Sequence, residues 1–285
     1  MDTLDGLVRR LDPDELASVV LDLEVQGYVR LPGLMSDQLV KYLLDLVSAA
    51  SADDENIAIG TPQGREADRV VYHLPYRDPA FTRLLDSDPV RAVAARFLND
   101  HWYREIPQDE PNYILHYYNA RSSGTPLDLH IDSYIPFSGP ELLMMQIAFV
   151  LEDQSEQNGC TVVVPGSHQS GRYPDRDFAH ATDVEATAGD VVIWDSRLWH
   201  GAKSNRTEGT RWVAIATLSR WWLKQKADFP TGMPKDIVDK LTPRQLALLG
   251  FASIPPTDAD DGIQTKKSFD EALDAARRRA APQRG

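Results

Sequence analysis

Five runs between residues 112 and 219 decide the fold: NYILHYYN (112–119), LMMQIAFVLE (143–152), CTVVVPG (160–166), DVVIWD (190–195) and RWVAIATLS (211–219). Each is short and rich in β-branched and aromatic residues, the composition of strands. Turn-forming pieces separate them, among them SSGTP, EQNG and SNRTEG, whose Gly, Pro, Asn and Ser supply the backbone conformations that a reversal needs. Short strands in succession with no helices between them predict a mainly β chain, with an antiparallel jelly roll (a double-stranded β-helix of the cupin-like kind) or barrel as its core.

Helical periods flank this core. Asp12-Pro13-Asp14-Glu15 has a cap, a proline at the first helical position and an acid at the capping-box position. Leu16, Val19, Val20 and Leu23 then recur at helical spacing until Gly27. A short extended piece, GYVRLPG, leads to Ser36 as a cap and a second apolar stripe of Val40, Leu43, Leu44 and Val47. Residues 51–70 read as loop and residues 79–100 as helix. Beyond about residue 224 the pattern turns helical again, with Thr242-Pro243-Arg244-Gln245 as another capping box, and the tail DAARRRAAPQRG reads as a solvated or frayed helix. The organisation expected is one domain over 1–285: N-terminal helices to about 100, a jelly-roll core over about 101–223, and a helical extension over about 224–285.

A chain of 285 residues with 42% hydrophobic and 26% charged residues has the balance of an ordinary globular protein. Cys160 is its single cysteine, so no intrachain disulfide is possible and a reducing, cytoplasmic setting is expected. The opening MDTLDGLVRRLDPDEL has no apolar run of signal-peptide length, and no stretch is long and apolar enough for a bilayer. A net charge of −13 argues against nucleic acid, whose phosphates need a basic face, and weakly against an anionic membrane. A small-molecule substrate is the expected partner; oligomeric state is not legible.

The chemistry gathers around PLDLHIDSY. His130 and Asp132 are two apart, which on a strand puts both on one face. An imidazole beside a carboxylate is a partial site for a divalent ion, and His200, in DVVIWDSRLWHGAKSN, is the candidate third ligand. Two His and one carboxylate take one face of an octahedron and leave the opposite face open, the arrangement of non-haem iron(II) oxygenases. Arg211 follows His200 across the turn SNRTEG, on a strand whose same-face neighbours Val213 and Ile215 are apolar. Its planar fork, turned inward, suits a carboxylate.

Taken together, QGYVRLPGLMSDQLVKYLL, LHIDS, LEDQSEQNGCTVVVPGSH and the run from GDVVIWDSRLWHGAKSN to Arg211 resemble the phytanoyl-CoA dioxygenase family of iron and 2-oxoglutarate oxygenases, over roughly residues 15–222. The resemblance implies iron(II) held by His130, Asp132 and His200, 2-oxoglutarate as co-substrate with Arg211 on its distal carboxylate, and O2 as oxidant. It also implies a dioxygenase reaction that releases succinate and carbon dioxide, with hydroxylation of a metabolite expected and desaturation or cyclisation open to the same chemistry. Halogenating relatives carry a small residue at the position of Asp132, so a carboxylate there favours oxidation without halide. Ala148 stands where many members have an aromatic residue; Gln146, on the same face, is expected to contact the co-substrate instead. Ser167 and His168 of PGSH are expected to bond locally as a structural turn.

Other residues carry less specific signals. His116 and Tyr118 alternate along NYILHYYN and are expected to line the pocket together, Tyr118 in contact with the co-substrate, with Tyr134 and Phe137 as similar pocket candidates. The polar, aromatic and basic segment from Thr61 to Pro79, with Arg65, Arg69, His73, Tyr76 and Arg77, reads as a surface loop that could serve as a lid. His73, His101 and His180 have no ligand spacing, and Cys160 is expected to be buried. Two other classes use the same residues: a cupin-like zinc or manganese isomerase or hydrolase, which gives no reason for Arg211, and a non-catalytic jelly-roll binding protein, which has no need of three ligands. No basic cluster suited to CoA phosphates appears near the strands, so a smaller, CoA-free metabolite is expected.

Overall fold

The computed structural model describes residues 3–53, 69–99, 111–122, 124–175, 178–253 and 274. Helix α1 (Pro13–Gln26) begins as its sequence requires: Asp12 accepts from the backbone N–H groups of Asp14 and Glu15, Glu15 returns a bond to the Asp12 N–H, and Pro13 opens the first turn. Gly27 ends it at φ 82°, a left-handed conformation that a side chain resists, and a Cβ there would also strike the His168 ring. The chain continues through β1 (Tyr28–Leu31), α2 (Asp37–Asp53), β2 (Arg69–Val71), α3 (Pro79–Leu85) and α4 (Asp88–Leu98). Eight strands follow: β3 (Tyr113–Ser122), β4 (Leu127–His130), β5 (Met144–Val150), β6 (Thr161–Val163), β7 (Thr182–Val184), β8 (Val191–Asp195), β9 (His200–Ala202) and β10 (Val213–Arg220). Three short helices come next: α5 (Phe229–Gly232), α6 (Lys235–Val238) and α7 (Pro243–Leu248), the last with the capping box read at Thr242 and Gln245.

The strands form two antiparallel sheets among the described residues, β1-β8-β5-β10-β3-β2 and β4-β9-β6-β7. The sheets are not closed into a barrel. One face of the larger sheet, with Tyr118, Ile147, Ile193 and Ala216, packs with Leu43, Phe81 and Leu84 of the helices in the main core. Its other face, with Ala148, Val150, Val192, Trp194 and Val213, packs against Val163 and Val184 of the smaller sheet. A strand buried on both faces reads as a continuous apolar run, which is why LMMQIAFV shows no alternation.

Some boundaries differ from the sequence reading. The extended piece GYVRLPG forms β1 as read and joins the larger sheet, which also recruits β2, a strand of three residues that is too short to display a period. Residues 51–70 are not all loop, since α2 extends to Asp53 and β2 starts at Arg69. The 79–100 helix is two helices broken at Asp86 and Ser87. Thr61, Arg65 and His101 lie outside the described residues, as does the C-terminal tail apart from Asp274. Of the remaining lid candidates, Tyr76 lies edge-on to Phe229 and stacks with His73.

One irregularity shapes the site. In the β3–β10 ladder Tyr117 pairs with Thr217 but Leu115 pairs with Leu218, so His116 is an extra residue, a β-bulge. The bulge places His116 and Tyr117 side by side, with ring centroids 6.0 Å apart, rather than on opposite faces.

Candidate metal centre

Strands β4 and β9 bring the three expected ligands together. His130 and His200 are register partners in this pair. Gly201 permits the approach, since a Cβ there would collide with the Leu127 carbonyl oxygen across the ladder. Asp132 lies just past the end of β4, where its N–H and that of Ser133 both donate to the Ser196 carbonyl, at 2.8 and 3.0 Å. The loop that follows is tied down from the same place. Arg197 forms a buried ion pair with Asp195, donates to the Gly139 carbonyl and lies 4.5 Å over the Phe137 ring.

Both histidines are oriented alike. The Nδ1 of His130 lies 2.9 Å from the Asp128 carbonyl, and the Nδ1 of His200 lies 2.9 Å from the Leu198 carbonyl. A carbonyl only accepts, so Nδ1 of each ring carries a proton and Nε2 is the atom that faces the centre. Asp132 completes the group, with His200 Nε2 at 3.2 Å and His130 Nε2 at 3.7 Å, and the three potential ligand atoms all lie within 4.8 Å of one another.

Electrostatics prepares the cluster for a cation. Burial, helped by the neighbouring His200, pushes the His130 pKa down to about 4, so the ring is neutral and able to ligate. Burial also works to raise Asp132, but the charge and hydrogen bond of His200 together with His130 outweigh it and hold the carboxyl below its usual range. For His200 burial works downward and is outweighed by Asp132, so it keeps its proton more firmly. A divalent ion would take that proton's place between the two.

The remaining expected site residues divide. Arg211 is buried on the inner face, with one guanidinium nitrogen 3.3 Å from the Gln154 Oε1 and its Nε without a hydrogen-bond partner. Burial, then the nearby Arg121, lowers its pKa to about 10, and Arg121 also bears on His130. Gln146 is fully buried; its Oε1 accepts from Thr217 and its Nε2 has no partner. These two unpaired buried donors are what a carboxylate-bearing ligand would satisfy.

Tyr118 is a correction. It was expected beside His116 and the co-substrate, but it lies on the helix-covered face of the sheet, edge-on to Phe81 and beside Phe149. The bulge at His116 breaks the alternation that had paired them. Tyr117 faces the centre instead: its hydroxyl bonds to Thr217, and burial together with the Asp132 charge raises its pKa. No period in NYILHYYN signals this, because a bulge leaves no mark in hydrophobicity.

PGSH serves as a structural turn, as expected, though its bonds are long-range. His168 Nε2 lies 3.2 Å from the Glu24 carbonyl, in the last turn of α1, and the Gly166 N–H donates to the Gln26 carbonyl. Ser167 Oγ accepts from the Trp199 N–H at 2.8 Å, and the Val164 N–H donates to the Trp199 carbonyl, so the residue before His200 is gripped at both ends. Cys160 is buried, as read. A cavity of about 630 Å³ near the ends of α1 and α4 is lined by none of the three ligand candidates; its Arg197 and Arg220 are already paired with Asp195 and Glu141. No helix among the described residues is long and apolar enough to cross a membrane.

The chain is similar to known proteins over most of its length. The chain is 25% identical over 242 residues to a protein named dioxygenase af480 from Aspergillus fumigatus, covering 81% of this chain and 76% of that one. Among solved structures, HygX from Streptomyces hygroscopicus, crystallised with nickel and 2-oxoglutarate, is 20% identical with a TM-score of 0.58, covering 76% of this chain and 90% of HygX. SnoN, a non-heme α-ketoglutarate-dependent epimerase from nogalamycin biosynthesis, is 22% identical with a TM-score of 0.58, covering 73% and 83%. The two structures share the fold: facing antiparallel sheets with helices on one side. The family description "Phytanoyl-CoA dioxygenase (PhyH)" matches residues 23–213, from the end of α1 through every strand of both sheets into the first residue of β10. This chain therefore belongs to the phytanoyl-CoA dioxygenase family.

Proposed function

We propose that this chain, by family a 2-oxoglutarate-dependent oxygenase, hydroxylates a small-molecule metabolite, with iron(II) held by His130, Asp132 and His200. The observation that carries this reading is the convergence of two Nε2 atoms and one carboxylate, with no fourth ligand in the cluster among the described residues. Such a centre keeps coordination positions for other molecules. Zinc in a closed structural site takes four protein ligands instead.

Bound together, iron(II) and 2-oxoglutarate supply oxygen activation, driven by oxidative decarboxylation of the co-substrate to succinate and carbon dioxide. The chain's own residues do the rest. Arg211 takes the distal carboxylate of 2-oxoglutarate, replacing its weak contact with Gln154 by a paired, charge-assisted one. Gln146 offers its spare Nε2 to the same ligand. The Asp128 and Leu198 carbonyls keep the protons on Nδ1 and so fix the ligating tautomers. Trp194, whose ring centroid is 5.3 Å from that of His200, and the apolar cluster around it exclude water from the inner side.

Hydroxylation is favoured over halogenation because Asp132 occupies the position where a halide would need room. The relatives of known fold include an epimerase and a carbocyclase, so other oxidative outcomes use the same kind of scaffold. The test is anaerobic titration of the apoprotein with iron(II) and 2-oxoglutarate. A visible charge-transfer band that needs both components, and is lost in His130→Ala and His200→Ala, supports the reading. Absence of the band together with tight zinc binding would overturn it in favour of a metal-dependent isomerase or hydrolase.

A further inference from the structure

The mouth of the centre is built from residues that neither metal nor co-substrate needs. Tyr134, two residues past Asp132, is held at φ 65°, a conformation rare for an aromatic residue, and is 60% exposed. Its hydroxyl lies 3.4 Å from His116 Nε2, and its carbonyl accepts from the Tyr173 hydroxyl. Ile135 beside it is 61% exposed. Strain of this kind persists where the surroundings hold it, and it clusters at ligand sites.

Lys226 closes the same rim from the other side. Its backbone N–H and that of Ala227 both donate to the carbonyl of the bulged His116, so its position is fixed to the irregularity that shapes the site. Its Nζ sits 4.9 Å from the centre of the Tyr117 ring. Its charge is felt by both His116 and Asp132, yet it makes no ion pair among the described residues. The site's other nearby cation, Arg121, bears on Arg211 and His130 at the co-substrate end.

We infer that the primary substrate carries a carboxylate, which Lys226 binds while an apolar or aromatic body lies along Tyr134 and Ile135. This rests on the oxygenase reading above. Iron(II), the Asp132 carboxylate, the 2-oxoglutarate dianion and Arg211 together carry no net charge, and Lys226 has no ion-pair partner among the described residues to offset its own. A cation at a cleft draws anions locally even in a chain of net charge −13. His116, kept neutral because burial pushes its pKa down to about 4, can donate or accept a hydrogen bond without adding repulsion.

The probes are phenylacetate, 3-phenylpropionate and 4-phenylbutyrate, each set against its primary amide, added to the anaerobic iron(II)–2-oxoglutarate complex. The readouts are perturbation of the visible band and, in air, stimulated succinate formation. At least one acid is expected to act at concentrations roughly ten-fold below its amide, the scale of a partly exposed charge-assisted contact. In Lys226→Met that preference should fall to near one, whereas Lys226→Arg should retain it. Amides as effective as acids, a preference that survives Lys226→Met, or no response to any acid would overturn the inference. Failure of the oxygenase reading shows separately, as a missing band before any probe is added.

Discussion

His130 and His200 stand opposite one another across the β4–β9 pair, with ring centroids 4.2 Å apart, and each is oriented by the carbonyl two residues before it. The centre thus depends on how closely two short strands approach, and that distance is set at Gly201. Replacing Gly201 by Ala forces its Cβ against the Leu127 carbonyl. The expected result is a loss of about 1–3 kcal/mol of stability from overpacking and at least roughly ten-fold weaker iron binding from misaligned ligands. Urea denaturation and iron titration of the same variant measure both.

Ser167 acts on His200 through Trp199, whose N–H it accepts. Ser167→Ala leaves that N–H without its acceptor and should weaken iron binding by about ten-fold, in the range for groups that orient a ligand. Ser167→Thr, which keeps the hydroxyl, should restore most of the affinity. Equal loss in both variants would point to packing instead.

Arg211 is expected to govern 2-oxoglutarate and not the metal. Arg211→Lys keeps a charge but loses the planar fork, and should raise the KM for 2-oxoglutarate roughly ten-fold or more, the scale of a charge-assisted hydrogen bond. Iron affinity measured without co-substrate should stay near that of the parent protein.

Tyr118 gives the opposite expectation. Its hydroxyl is buried without a partner on the helix-covered side, so Tyr118→Phe should be neutral or stabilising by up to about 1 kcal/mol. The KM for 2-oxoglutarate should not change. A substantial rise would return Tyr118 to the pocket.

The depressed pKa of His116 links stability to pH. Burial, then the Lys226 charge, holds its folded-state pKa at about 4, below the ordinary value of 6.5. In the unfolded chain His116 gains its proton first as pH falls, so its contribution is present above pH 6.5 and is lost as pH falls through about 4. His116→Gln removes the titration. The urea midpoint of metal-free protein should therefore fall less steeply over this interval in the variant than in the parent.

The sequence by itself determined the strand-rich core, the flanking helices with their capping boxes, and the residues of the centre. Most of these features are local: a capping box spans four residues and His-x-Asp spans three, while His200, far along the chain, was picked out by its own run and by the family resemblance. Only the tertiary structure decided which face of β3 turns toward the candidate centre. At the bulge β3 stays paired with β10 on both sides of His116, whose carbonyl is taken by the N–H groups of Lys226 and Ala227 from beyond β10. Alternation predicted Tyr118 and missed Tyr117 for that reason. Lys226 and Ser196 were equally silent in sequence, since their parts depend on backbone hydrogen bonds to residues far along the chain, and such bonds leave no trace in residue type.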